Sequence, residues 1–459
     1  MKNIKKIICI VLICAICISF SSCDLTIQSV EALMRPPKLS GENSLLQDAF
    51  ESYVKNSKDV IMKTPISGDN RSTYLYFDLD NDKVNEAFVF YSDPTIDEFA
   101  KVCIFKKNNN KWELVSDIKG LAEEVYAVNF ADINGDDKYE IVFGWTSIAD
   151  NEGSSGSVFG SSSERTLTVY GYNNSTTNLL ITETFSKMYV GDFNADNSDE
   201  FLLVNIDLAN TDNRTSCRIL SYNDDYSSKD DIALQLSGMI EVLNIVTDKI
   251  SIDDSMHTRV YIDGSITETA VITEVIDIEH ESYEISLPLY ENNTSEKPVT
   301  IRDNRTYSTD IDNDGIIEIP TLETLKGGKR ITEGIEGFSN LNLTVWSELN
   351  DEYIIEPEFK SLLNTTHGYM YVFPEEWTDE ITAVYNNTSA LLTFYVLNEN
   401  ETLGAELFSI LPFSELKWND NHSGYSKIMS VGALIYGYSL TPNSYVTKED
   451  IINNFMIID

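Results

Sequence analysis

Histidine is scarce in this 459-residue chain: His257, His280, His367 and His422 are the only four, widely scattered and with no H-x-x-x-H pair. Cysteine is scarce too, and four of the six fall within the first 23 residues. No Cys/His cluster therefore stands ready to build a tetrahedral zinc site. Basic residues are few, 33 Lys and Arg against 74 Asp and Glu, for a net charge of -41. A surface of that sign repels nucleic acid and anionic lipid. Beyond the N-terminus, no apolar run reaches the roughly 20 residues that span a bilayer. The serine-rich stretch 150–163 has no strand and helix to frame a nucleophile elbow, and it reads as a surface insertion. No catalytic residue is assigned, although the abundance of carboxylates leaves an Asp/Glu hydrolytic pair open.

What the chain has instead is a repeated acidic nonapeptide. It occurs at 78–86 (DLDNDKVNE), 132–140 (DINGDDKYE), 192–200 (DFNADNSDE) and 310–318 (DIDNDGIIE). Oxygen-bearing side chains stand at positions one, three, five and nine: Asp78, Asp80, Asp82, Glu86; Asp132, Asn134, Asp136, Glu140; Asp192, Asn194, Asp196, Glu200; and Asp310, Asp312, Asp314, Glu318. A loop presenting alternate side chains and a carbonyl to one centre can gather the six to eight oxygens that Ca²⁺ takes. Up to four Ca²⁺ ions are expected as cofactors. An EF-hand would need a carboxylate at position twelve and helical flanks. Here Val89, Phe143, Leu203 and Thr321 fill that position and strand-like runs follow.

Apolar or aromatic residues such as Phe77 and Phe130 precede the motif. Asp-x-Asp/Asn-x-Asp-x-x-x-Glu between strands resembles the FG-GAP or VCBS-type repeat of integrin-like β-propellers, with Glu at the ninth place where integrin repeats usually carry Asp. The resemblance implies an all-β propeller of four-stranded blades, with Ca²⁺ held between the first two strands of a blade. It covers about 71–358.

The remaining organisation follows from spacing. Short strand-like runs come in fours, and the motifs start at 78, 132, 192 and 310. The last step is twice the others, so a fifth unit that lost its acidic loop is expected near 255–265, where Asp263-Gly264 reads as a turn. Cys103 and Cys217 each lie 17 residues past a motif glutamate, in units separated by a whole blade. A disulfide needs Cα atoms within about 7 Å, so two buried free thiols are predicted. Residues 359–459 read as an antiparallel-sheet region with a helix from Lys448 to Met456, separate from the propeller or recruited to close it. A helix over 43–58 is predicted, opened by a capping box at Ser44 and Gln47, with Leu46, Phe50, Tyr53 and Val54 on one face.

Lys2, Lys5, Lys6 and the run IICIVLICAICISF make residues 1–22 a secretory signal. Phe20-Ser21-Ser22-Cys23 resembles a bacterial lipobox, which implies acylation of Cys23, a tether over 23–42 and attachment to a bacterial membrane through acyl chains. The function this reading expects is a lipid-anchored, extracytoplasmic, calcium-binding β-propeller acting as a binding or scaffold module for an extracellular protein or glycan; the alternatives are a propeller-based polysaccharide lyase or hydrolase and an envelope protein with purely structural calcium.

Overall fold

The computed structural model describes residues 41–55, 57, 59–147, 164–173, 176–210, 213–291, 299–332, 338–442 and 444–458. The expected signal segment, Cys23, most of the tether and the serine-rich insertion lie outside these residues.

The chain divides into two compact units. One contains the helix Glu42–Tyr53 and the hairpin tip Lys107–Glu113. Within it Lys107 pairs with Glu42 and sits 5.8 Å from the centre of the Trp112 ring. The helix opens differently from the expected capping box: Gly41 is the N-cap, with φ of 66°, and no side chain caps it. Glycine takes that left-handed value freely, so the chain turns into the helix two residues before Ser44. Leu46 and Phe50 are buried as expected, while Tyr53, in the last turn, is 42% exposed.

The other unit is built largely of antiparallel strands. Its second sheet meanders through Glu124–Ala131, Glu140–Thr146, Arg165–Tyr172 and Thr177–Phe185. The third repeats the plan with Lys187–Gly191, Glu200–Ile206, Thr215–Tyr222 and Ser228–Leu236. The first uses Tyr74–Phe77, Glu86–Asp93 and, apart from the hairpin tip Lys107–Glu113, the strands Asp97–Asn108 and Lys111–Lys119, with the short strand Ile61–Met62 also pairing onto Glu86–Asp93. Every residue of Glu86–Asp93 and Glu140–Thr146 is buried, whereas the outer strands Lys111–Lys119 and Ser228–Leu236 show many exposed residues. A strand covered on both faces reads as a continuous apolar run, and AFVFY and IVFGW are such runs. Cys103 and Cys217 are buried and free.

The fourth sheet corrects the position of the lost loop. Strands Glu241–Ile252 and Ser255–Ser265 are joined by Asp253-Asp254, with φ of 48° and 69°. Such a two-residue hairpin needs φ above zero at both places, which Asp tolerates. Asp263-Gly264 is therefore strand and not turn. Gly264 is required there because a Cβ would come within 2.3 Å of the Met239 sulfur.

The fifth module begins with a single bridge from Thr309 to Glu318, then runs through Ile319–Ile331, Phe338–Leu349 and Ile355–Asn364. It does not end at 358. Strand Ile355–Asn364 crosses the expected boundary and pairs with Tyr369–Phe373, and all these strands belong to one ten-stranded sheet. That sheet curls: the Tyr371 ring from one arm packs at a tilt against Phe394 and Phe408 of the other, with centroids 4.9 and 5.6 Å away. The expected terminal helix stops at Asn453 behind a Thr447–Asp450 capping box. Phe455–Ile457 then pairs with Tyr369–Phe373 as a strand, because Phe455 packs between Tyr369 and Tyr436 in the curled core.

Candidate metal centres

Each of the four acidic loops joins the first and second strands of its sheet or module, and their backbones repeat one pattern. Position four is left-handed in all of them (Asn81, Gly135, Ala195, Asn313), and so is position six (Lys83, Asp137, Asn197, Gly315). Two consecutive amides, at positions five and six, donate to the two carboxylate oxygens of the first aspartate. For Asp78 the distances are 3.1 and 2.7 Å, for Asp132 3.1 and 2.8 Å, for Asp192 3.2 and 3.1 Å, and for Asp310 3.0 and 3.0 Å. The fifth aspartate folds back onto the amide of position seven at 2.8 to 3.0 Å. The closing glutamate accepts from the amide of position two: Leu79 to Glu86 at 3.1 Å, Ile133 to Glu140 at 3.3 Å, Phe193 to Glu200 at 2.9 Å and Ile311 to Glu318 at 2.8 Å. Sequence spacing thus translates into four loops of one shape.

The acids come together most tightly in the first and fourth loops. Asp78, Asp80 and Glu86 bring oxygens within 4.8 Å of one another, as do Asp310, Asp312 and Glu318. In the second and third loops Asn134 and Asn194 replace the third-position carboxylate. Three of the loops hold a buried carboxylate oxygen without a hydrogen-bond partner among the described residues: Asp80 Oδ1, Glu200 Oε1 and Glu318 Oε1. A buried acceptor left unmade costs about 1–3 kcal/mol, and more when charged. Burial, with the loop aspartates adding repulsion, pushes Glu140 up to about 7 and Glu200 and Glu318 up to about 8. Burial raises Glu86 as well. These acidic groups can hold a metal ion, which would compensate the orphaned oxygens and the crowded charge. An all-oxygen set with no sulfur or imidazole suits a hard cation.

Several neighbours of the loops escaped sequence reasoning. Tyr172 and Tyr226, each from the following sheet, donate to Oε1 of Glu86 and Glu140 at 3.1 and 2.9 Å. Each lies 86 residues beyond its glutamate, a constant spacing that was the available signal. Burial raises the Tyr283 hydroxyl pKa, and the charge of nearby Glu200 adds to the rise. Lysines flank three loops: Lys106 lies 3.5 Å from Asp80, Lys138 3.3 Å from Asp136 and Lys229 3.1 Å from Asp196. Successive loops are also tied together at position eight. The amide of Tyr139 donates to Leu79 O at 2.9 Å and that of Asp199 to Asp132 O at 2.7 Å. Where the fourth sheet has no loop, Asp248 substitutes, accepting from Ile317 at 3.0 Å.

Cavities also lie near these elements. One, of about 200 Å³, is lined by Phe77, Asn129, Phe130 and Val190, all from first strands of the first three sheets, with Asn70 and Asp199. Phe77 and Phe130 stack across it with centroids 4.0 Å apart. Another, of about 300 Å³, sits in the curled sheet, where Arg330, Asn364, His367, Tyr369, Tyr385 and Asn387 face it. Tyr369, Tyr371 and Trp377 belong to the core of that sheet.

No family model matches the chain, and no curated protein matches it. Among solved structures it is similar to a hypothetical selenium-binding protein from Sulfolobus tokodaii, with 12% identity and a TM-score of 0.27 over 49% of this chain and 55% of that one. It is also similar to a levansucrase from B. megaterium, with 10% identity and a TM-score of 0.25 over 69% of this chain and 84% of that one. A mannose phosphorylase from Leishmania mexicana matches at 10% identity and 0.24 over 68% of this chain and 91% of that one. Scores this low define neither fold nor activity. The chain is thus a mostly β protein of small antiparallel sheets and one curled ten-stranded sheet, in which acidic groups of the first and fourth loops could hold a metal ion.

Proposed function

We propose that this protein is a calcium-binding β-propeller of the FG-GAP/VCBS type, lipid-anchored through Cys23 outside a bacterial cytoplasm, and that it serves as a binding or scaffold module. The observation that carries the reading is the identical bonding of the four loops, each at the corner between the first two strands of a module. Two further features support a radial arrangement: the position-eight bonds from loop to loop, and the cavity that first strands of three successive sheets share. Calcium is the cation of choice because the loops offer carboxylate, amide and carbonyl oxygen in number and at flexible geometry. The lipid anchor rests on the N-terminal sequence; no helix among the described residues is long and apolar enough to cross a membrane. A glycan or protein ligand would find its polar and aromatic contacts at the 300 Å³ cavity around Arg330 and Tyr385.

The test is thermal melting of the full chain in chelator and in millimolar Ca²⁺. An ion that binds only the folded state stabilises it by about 2.7 kcal/mol per site at a hundredfold excess over Kd. Melting temperature should rise, and Asp310→Ala with Asp314→Ala should remove part of the rise. A Ca²⁺ response absent from the wild-type protein would end this reading.

A further inference from the structure

The fourth loop differs from the other three in what surrounds its closing glutamate. Glu86 and Glu140 meet a tyrosine hydroxyl, and lysines stand beside the first three loops. At Glu318 two more acids take that place. The ladder that pairs Ile319 with Ser347 sets Glu318 opposite Glu348 on the next strand. One strand further, the pairing of Trp346 with Phe359 and Ser347 with Pro357 leaves Glu358 as the extra residue of a β-bulge. Bulges re-aim a side chain, and here Glu358 joins the other two: oxygens of Glu318, Glu348 and Glu358 lie within 4.8 Å of one another. Neither Glu348 nor Glu358 has an ion pair among the described residues. Glu318 itself is fully buried, and its Oε1 has no hydrogen-bond partner there.

Like charges facing each other across a sheet destabilise it, and three carboxyls on adjacent strands are relieved by a counter-charge or by protons. From the bulge, the ladder and the orphaned oxygen, we infer that Glu318, Glu348 and Glu358 form a second hard-cation site, adjoining the loop site of Asp310, Asp312 and Asp314 and sharing Glu318 as a bridging carboxylate. The inference rests on the loop reading through that shared residue. The exposed Glu358 leaves the outer position open to water, so a divalent cation with a partly hydrated shell fits it, as Ca²⁺ does.

Equilibrium dialysis of the full chain against Ca²⁺ tests it, on the wild type and on Glu348→Gln with Glu358→Gln. The wild type should hold one ion per loop plus one, and the double variant one equivalent fewer. Removing like charge should leave the double variant folded, with a melting temperature in chelator equal to or above that of the wild type. Glu358→Gln alone, an exposed change, gives the same readout as weakened binding of the last equivalent. Unchanged stoichiometry and affinity in both variants would overturn the second site, the cluster then carrying protons only, while the loop reading stands. A wild type that binds no Ca²⁺ would sink both.

Discussion

Tyr226, in the turn between the last two strands of the third sheet, donates its hydroxyl to Oε1 of Glu140 at 2.9 Å, across the gap to the second sheet. This contact does two things at once: it fixes the rotamer of a loop carboxylate, and it ties one sheet to its neighbour. A ligand held this way by a hydrogen bond from behind typically loses 10- to 100-fold in metal affinity when the bond is removed. Tyr226→Phe should therefore weaken one Ca²⁺ site by about tenfold or more and cost about 1–3 kcal/mol of stability. Calcium titration and urea unfolding check both parts. Tyr172→Phe should act alike on Glu86, whereas Tyr283→Phe, which takes no hydrogen bond away from Glu200, should leave affinity unchanged.

The raised carboxyls give a pH dependence whose sign follows from linkage. Glu140, Glu200 and Glu318 sit near 7 to 8 in the folded protein without cation, against an ordinary value of 4.5. Between those values the unfolded chain has released protons that the folded chain still holds, so stability falls as pH rises through that window. Carboxylates held low by a partner, such as Asp231 beside Arg218, act the other way, but only below about pH 4. Calcium needs the ionised ligands, so its stabilisation grows as pH rises. In chelator the melting temperature should be lower at pH 8 than at pH 5.5, and the gain on adding Ca²⁺ should be larger at pH 8. An equal gain at both pH values would count against carboxylate ligation.

How legible was this in the sequence? The loops were, because their backbone pattern needs a fixed residue type at a fixed offset: the aspartates at positions one and five and the closing glutamate accept the same amides in all four. The inner strands were legible too, since burial on both faces demands unbroken apolar runs. Partners brought together only by packing of sheet on sheet were not, and Tyr226, Asp248 and Glu358 lie 86, 69 and 40 residues from the loop groups they meet. The misplaced turn at Asp263-Gly264 shows the same limit. Two residues that favour turns sit in a strand because the strand's neighbours supply what a turn would otherwise satisfy.

Those neighbours make Asp263 a stability hot point. It meets Arg302 at 2.8 Å, both side chains fully buried, and also accepts from Ser308 N, Ser308 Oγ and Thr273 Oγ1. Arg302 also donates to the carbonyls of Thr306 and Thr300 and to Thr273 Oγ1. Removing one member of a buried pair leaves the other charge uncompensated and costs about 3–5 kcal/mol. Asp263→Asn should lower the urea midpoint accordingly, with or without Ca²⁺, and with little dependence on salt because the pair is shielded from solvent. Replacing both members, Asp263→Leu with Arg302→Met, should recover a large part of the loss. A double variant as unstable as the single one would show that the hydrogen bonds, and not the charges, matter here.

Position six of the loops offers a matched pair of opposite changes. Gly315 takes φ of 96° and a Cβ there would meet nothing within 4 Å, so Gly315→Ala isolates the backbone term. Left-handed backbone costs an L-residue about 1–2 kcal/mol, and that penalty falls on the shape in which the fourth loop gathers Asp310, Asp312 and Glu318. Lys83 holds φ of 69° in the first loop, so Lys83→Gly relieves the same strain, less the entropy a glycine adds to the unfolded chain, about 0.4–1 kcal/mol. It also removes one positive charge from an acidic loop. Calcium affinity should therefore fall several-fold in Gly315→Ala and rise in Lys83→Gly, each read by titration against the wild type. If both variants shift affinity in the same direction, the left-handed corner at position six does not govern how these loops take up their ion.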